Sequence, residues 1–284
     1  RAVKVKRRGV FTELPIQYRA MPDSQRSNAL RERLENDEVA LGVLDSTYSP
    51  TLVELYGDLG LDYVWIDLEH GGPSPWDAGA LENLLRAAEV TDTELLVRVP
   101  TSQPEGIRKA LDAGVRNVFL ARAEGAEEVR RAVEAARFRY GDGPGKRGLA
   151  APRARRWGMA DDYVATEDAE TMVGVTVETR ETLDELDAIL DIDGLGFVFV
   201  GPLDLSVQLG HPGELDHPEV REAVETVRSK AVEAGVPVGG LGFGMDDVNE
   251  KVDQGYQMLN LGSTAGALQA AVGDWLDAFE GDRS

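Results

Sequence analysis

Cysteine is absent from the 284 residues, which removes disulfides, thiolate metal sites and thiol nucleophiles from consideration. Lysine is scarce: Lys4, Lys6, Lys109, Lys146, Lys230 and Lys251 are the whole set. No run of about 18 apolar residues occurs, so no membrane-spanning helix is expected. Nor does an apolar stretch near the N-terminus resemble a secretory signal, which makes the cytoplasm the expected compartment. Positive charge is in short supply, with 30 basic residues against 51 acidic ones and a formal charge of −21. Such a surface repels phosphate backbones, so nucleic acid is not an expected partner.

What is present is acid. Runs such as Glu124, Glu127, Glu128 and Glu181, Asp184, Glu185, with so few lysines, resemble the pattern of halophilic proteins. Dense like charge repels itself unless salt screens it.

The 42% of hydrophobic residues suffices to bury one core of the size expected for an α/β barrel, roughly 250 residues. Residues 1–28 carry Lys4, Lys6, Arg7 and Arg8, then Pro15, Pro22 and Ser24, without periodicity, and read as a possible flexible extension. From residue 29 to 284 a single domain is expected. Short β-branched runs at 40–44, 62–67, 94–98, 116–120, 172–178, 196–200, 236–240 and 256–261 alternate with helical periodicity. The helices fall at 77–90, 104–113, 124–137, 180–190, 218–234 and 264–280, with shorter ones at 51–58 and 246–254. The segment 138–171 reads as one long loop-rich insertion. Eight strand–helix repeats point to a (β/α)8 TIM barrel, whose chemistry sits at the C-terminal strand ends.

Four of those ends carry polar residues. The second strand closes on Asp67-Leu68-Glu69-His70, and His70 is the sharpest base candidate, because His211 and His217 lie in a Gly/Pro-rich loop where solvated or capping roles are commoner. The third strand ends in Arg98, a cation needing an anionic partner; substrate or Asp67 and Glu69 would each serve. The fifth and sixth strands end in Glu178 and Asp204. Two carboxylates from adjacent strands make the usual hard-cation site, although a helix-dipole role for Glu178 and N-capping by Asp204 are equally open to single residues.

The strings IDLEHGG (66–72), VRVP (97–100), LDAG (111–114), RYGDGPGKRG (139–148), VTVETRE (175–181) and FVGPLDLSVQLGHPG (199–213), in unbroken order, resemble the HpcH/HpaI aldolase family of class II pyruvate aldolases. The resemblance implies a lyase that reversibly cleaves a 4-hydroxy-2-oxo acid into pyruvate and an aldehyde. Carried over, it implies that Glu178 and Asp204 bind a divalent metal (Mg²⁺, Mn²⁺ or Co²⁺), that His70 is the base and that Arg98 stabilises the developing enolate. Asp67 joins the catalytic set, with Thr176, Leu203 and Asp204 beside Arg98 at the substrate. Asp112 matches an acid that raises the basicity of the histidine, yet it ends a helix and belongs at the opposite face of its own barrel, so that role implies contact across a subunit interface. Thr176, Leu203 and Leu44 depart from the family's usual Gln, smaller residue and aromatic. The family also implies a homo-oligomer, commonly a hexamer; Leu268, Ala271, Val272, Trp275, Leu276 and Phe279 on the last helix suit either a neighbour or the same barrel.

A Schiff-base aldolase needs a lysine projecting from a barrel strand, and none is available. A citryl- or malyl-CoA lyase needs a basic surface for CoA phosphates, for which Arg153, Arg155 and Arg156 are the candidates. A non-catalytic barrel that only binds a 2-oxo acid is the reading from outside enzymology. Salt adaptation is the testable physical consequence of the charge: the melting temperature is expected to rise between 0.1 and 2 M KCl, roughly the range over which the screening length falls from 10 Å to below 3 Å, and a fall would refute it.

Overall fold

Side chains of successive strand residues point to opposite faces, so in a closed barrel every second residue fills the centre and the others meet the helices. The computed structural model describes residues 2–7, 10–15 and 27–279. Its barrel strands are β1 (Ala40–Asp45), β2 (Tyr63–Asp67), β3 (Glu94–Val99) and β4 (Asn117–Leu120). They continue as β5 (Met172–Val177), β6 (Leu195–Val200), β7 (Val238–Leu241) and β8 (Met258–Ser263). Each pairs in parallel with the next, and β8 pairs with β1, which closes the cylinder.

Inward positions hold the large rings. Trp65 lies edge-on to Phe119 and Phe199 at 5.2 and 5.4 Å between centroids, and Phe119 leans on Phe197 at 6.0 Å. Such volume needs small neighbours: a Cβ at Gly174 would fall 2.4 Å from the Phe197 ring, which leaves glycine as the residue that fits on β5. Outward residues, among them Val64, Ile66, Val118 and Val198, pack beneath the helices in a separate apolar layer.

The helices are α1 (Ala29–Glu35), α2 (Pro50–Asp58), α3 (Ala78–Ala88), α4 (Pro104–Ala113), α5 (Ala126–Ala136) and α6 (Tyr163–Glu170). Then come α7 (Arg180–Asp184), α8 (Leu186–Leu190), α9 (Pro202–Gln208), α10 (Pro218–Ala234), α11 (Met245–Asp253) and α12 (Thr264–Asp277). Leu30 and Leu34 of α1 join the inner cluster and plug the N-terminal end of the barrel. Asn28 anchors that plug, its side chain capping α1 and donating to Asn117 Oδ1 at 2.6 Å.

Several sequence expectations are corrected. The helix expected over 180–190 is two short ones meeting at Glu185. The insertion 138–171 contains α6, fixed by the buried Arg147 guanidinium, which reaches Glu167 at 3.1 Å and Tyr163 at 3.2 Å. The periodicity of α1 and α9 is too short, seven residues each, to register in a window of 11 or more. Within the proposed extension, 2–7 and 10–15 pair antiparallel; the rest of 1–26 lies outside the described residues. No helix among the described residues is long and apolar enough to cross a membrane.

Truncating the central ring tests this packing. Phe119→Ala is expected to cost about 3–5 kcal/mol of unfolding free energy in a denaturant titration; a cost below about 1 kcal/mol would mean that the barrel centre is not packed as described.

Candidate active site

The alternation that fills the barrel also aims its last residues. On β2, Tyr63 and Trp65 point inward, and so does Asp67 one step later; on β3 the series is Glu94, Leu96, Arg98. The register sets Asp67 beside Arg98, and the two form a bidentate pair, with Nε to Oδ1 at 2.9 Å and Nη2 to Oδ2 at 2.7 Å. The third guanidinium nitrogen, Nη1, lies 3.3 Å from Glu69 Oε2. The guanidinium also stacks over Trp65, 5.0 Å from the ring centroid. Burial opposes charge on Asp67, but the Arg98 bonds, helped by the Glu69 backbone N–H, outweigh it and hold the carboxyl below its usual range. Arg98 is raised in turn. The structural partner weighed for Arg98 is therefore realised, while Arg98 still lines the cavity at the mouth.

On β5 the inward series Met172, Gly174, Thr176 ends at Glu178, a residue 2% exposed. Its Oε1 accepts the backbone N–H of Arg122 at 2.7 Å. Loss of water dominates its acidity. Despite that N–H and the nearby Arg98 charge, and with Glu69 and Asp204 repelling, the carboxyl is pushed up to about 7. Room for it comes from Gly201, where a Cβ would lie 2.7 Å from Glu178 Cβ. Asp204 stands in the first turn of α9, and Arg122 Nη1 meets its Oδ1 at 3.1 Å.

Glu178, Asp204, Arg98, His70, Thr176 and Leu203 line one cavity of about 440 Å³ at the C-terminal mouth of the barrel. A depression of about 830 Å³ is larger, but it lies among Arg31, Arg137 and Gly235 at the other end, away from the strand-end carboxylates. His70 is exposed, with Nε2 3.6 Å from Glu69 Oε2. Thr176 Oγ1, Trp65 Nε1 and Asn260 Oδ1 are buried without hydrogen-bond partners among the described residues. The donors fit a hard divalent cation: two carboxylate groups, one of them deprived of water and short of positive charge, with polar atoms left over for a ligand. A separate group, His211, His217 and Glu219, brings ligand-type atoms within 4.8 Å of one another. It serves α10 instead, since His217 Nδ1 accepts the Glu219 N–H and His211 Nε2 contacts Glu219 Oε2.

Residues 43–271 match the family described as HpcH/HpaI aldolase/citrate lyase. The chain belongs to that family. It is 34% identical over 239 residues to a hydroxypyruvate/pyruvate aldolase of Paraburkholderia phytofirmans, covering 83% of this chain and 91% of the relative. A 5-keto-4-deoxy-D-glucarate aldolase of Salmonella paratyphi A is 31% identical over 254 residues, covering 89% and 97%. An HpcH/HpaI family structure from Burkholderia cenocepacia superposes with a TM-score of 0.83 at 33% identity, covering 88% of this chain and 98% of that one. Carbon–carbon bond cleavage by an aldolase is the reaction class that follows.

Against this HpcH/HpaI frame, Asp112 is the residue that its own barrel does not bring to the mouth. Its backbone oxygen accepts the Ala154 N–H, burial pushes its carboxyl up against the pull of Arg147, Arg108 and Lys109, and Oδ1 lacks a hydrogen bond among the described residues. The arginines considered for CoA phosphates sit at that same end. Arg153 bonds to Ala113 O and Glu89, and Arg155 to Ala150 O, while Arg156 begins the 3-10 turn that follows. Two residues at the mouth, Asn260 and Arg122, escaped the sequence reading. Asn260 was discoverable from strand alternation; Arg122 sits in a loop with φ 47°, and no local pattern announces its contacts.

The raised Glu178 carboxyl has a signed consequence for metal-free protein. The folded state binds a proton more readily than the unfolded one between the ordinary glutamate value and about 7, so stability falls as pH rises through that window and is flat above it. Relative to wild type in EDTA, Glu178→Gln is expected to gain roughly 2–3 kcal/mol at pH 8 and almost nothing at pH 4.5. A gain independent of pH would contradict the assignment.

Proposed function

We propose that this chain is a divalent-metal-dependent aldolase that reversibly cleaves a 4-hydroxy-2-oxo acid into pyruvate and an aldehyde. The observation that carries the proposal is that Glu178, Asp204, Arg98 and His70 line one cavity at the barrel mouth. The pyruvate half comes from the relatives, one of which is named for hydroxypyruvate and pyruvate. Glu178 and Asp204 would hold Mg²⁺, Mn²⁺ or Co²⁺, which when bound draws charge from the carboxylate and 2-oxo oxygen of the substrate.

The remaining work falls to the chain's own side chains. Asp67 fixes the plane of the Arg98 guanidinium through two bonds, so its donors meet negative charge developing on the 2-oxo oxygen without reorganisation, an effect worth a few kcal/mol per donor. His70 takes the proton from the 4-hydroxyl during cleavage and returns it during synthesis. Its exposure and the Glu69 carboxylate at 3.6 Å suit a group that exchanges protons with water. Thr176 Oγ1, buried and without a partner among the described residues, donates to a substrate oxygen.

Two further parts of the reading concern assembly. Leu268, Val272, Trp275 and Leu276 of α12, with Phe279 just beyond it, are all exposed, Trp275 by 72%, which favours a neighbouring subunit over the same barrel as their partner. In such a homo-oligomer, hexameric by family analogy, Asp112 serves a neighbour's mouth. A monomeric mass by light scattering would remove both statements.

Chelation and mutation test the chemistry. EDTA is expected to abolish pyruvate release, and Mn²⁺ or Mg²⁺ to restore it. Borohydride with pyruvate is expected to leave no adduct, since the described lysines stand on the paired segment 2–7, on α4, α10 and α11 and in the 141–148 loop, and none is on a barrel strand. His70→Ala should lower kcat by about 10²–10⁴-fold; full activity in that variant, or in EDTA, would overturn the proposal.

A further inference from the structure

We propose that the aldehyde half of the substrate is uncharged and apolar, and that its tail lies against Leu44, Leu203, Leu241 and Phe243. This rests on the aldolase reading above and adds the substrate class. The mouth cavity is two-sided. Arg98, Thr176 and Glu178 come from β3 and β5, and Asp204 follows β6, whereas Leu44 on β1 and Leu241 on β7 pack against the cluster of Trp65 and Phe199, with Phe243 just after β7 and Leu203 just after the adjacent β6. Leu203 is 51% and Phe243 57% exposed, on the rim of a protein whose charge of −21 reflects an otherwise strongly acidic surface. Two large apolar side chains flanking one concave site are the ordinary lining of a small-molecule pocket, and about 440 Å³ falls within the usual range of about 300–1,000 Å³.

Charge decides against the alternative, a tail ending in a second carboxylate. Among the described residues, Arg98 is the one lysine or arginine lining the cavity; two of its nitrogens are given to Asp67 and the third faces Glu69. Arg122, on the rim, is paired with Asp204. Lys251, 5.2 Å from the Phe243 ring, is bound to Asp247 and to Leu241 O. His70 serves as a base only while neutral. A tail carboxylate would therefore meet an apolar wall and no uncommitted cation, beside Glu178 and Asp204, and an unpaired charge in such a place is costly. The wall thus points away from diacids such as 5-keto-4-deoxy-D-glucarate, for which one relative is named.

The test is kcat/KM for pyruvate release by the full chain, supplied with Mg²⁺, Mn²⁺ or Co²⁺, across unbranched 4-hydroxy-2-oxo acids from pentanoate to nonanoate and on 4-hydroxy-2-oxoheptanedioate. The expected result is a rise of up to roughly fourfold per added methylene, with the heptanedioate at least about tenfold below the heptanoate. Phe243→Ser and Leu203→Ser should each flatten the dependence on chain length, read as the heptanoate-to-pentanoate ratio. Pyruvate release that is indifferent to length, or that favours the heptanedioate, overturns the apolar acceptor and leaves the aldolase reading standing. No release from any of these acids with any of the three metals removes both.

Discussion

A carboxylate withdrawn almost completely from water governs the mouth of this barrel. Among the described residues Glu178 receives one backbone N–H and no side-chain ion pair, with Glu69 and Asp204 adding repulsion. Burying a charge in this way costs several kcal/mol unless a counter-charge arrives. The nearby guanidinium groups relieve it only in part: Arg98 is committed to Asp67, and Arg122 reaches Asp204 instead. Both features, the unmet need for positive charge and the oxygen-only donors, are those of a site built for a hard cation.

One end of the cylinder is sealed and the other opens into a cavity. At the N-terminal end charged groups are paired, with Arg147 and Arg116 both reaching Glu167; Asn28 is bonded to Asn117 and α1 seals the opening with leucines, although Asp112 Oδ1 and the Tyr63 hydroxyl lack hydrogen bonds among the described residues. At the C-terminal end Thr176 Oγ1, Trp65 Nε1 and Asn260 Oδ1 stay without partners among the described residues, all lining the same cavity. Satisfied networks rigidify, whereas unsatisfied groups facing an opening are held ready for a ligand. This is the usual division of a TIM barrel between a stabilising face and a reacting one.

Much of this was legible beforehand. The eight apolar runs are strands within a residue or two of their expected limits, because β-branched residues between turn signals have few other uses. His70, Arg98, Glu178 and Asp204 were findable as polar ends of apolar strands. Other parts were hidden for want of a local signal. The helix α9 is a single pair of turns begun by Pro202, and the break at Glu185 depends on packing against α5, whose Ala126 N–H that side chain accepts.

Residue order alone dictated which side chains face the barrel axis, since alternation along a strand is a property of the backbone and needs no partner. Which inward groups would then meet was settled by closure of the sheet. Arg98 had two acids within reach by position, and strand register gave its bidentate bond to Asp67, 31 residues away. Glu178 and Asp204 acquired their shared cavity, and Glu178 its altered acidity, from burial and from the Arg122 backbone. Those are long-range consequences of three-dimensional packing, where solvent is excluded and distances are set by neighbours remote along the chain.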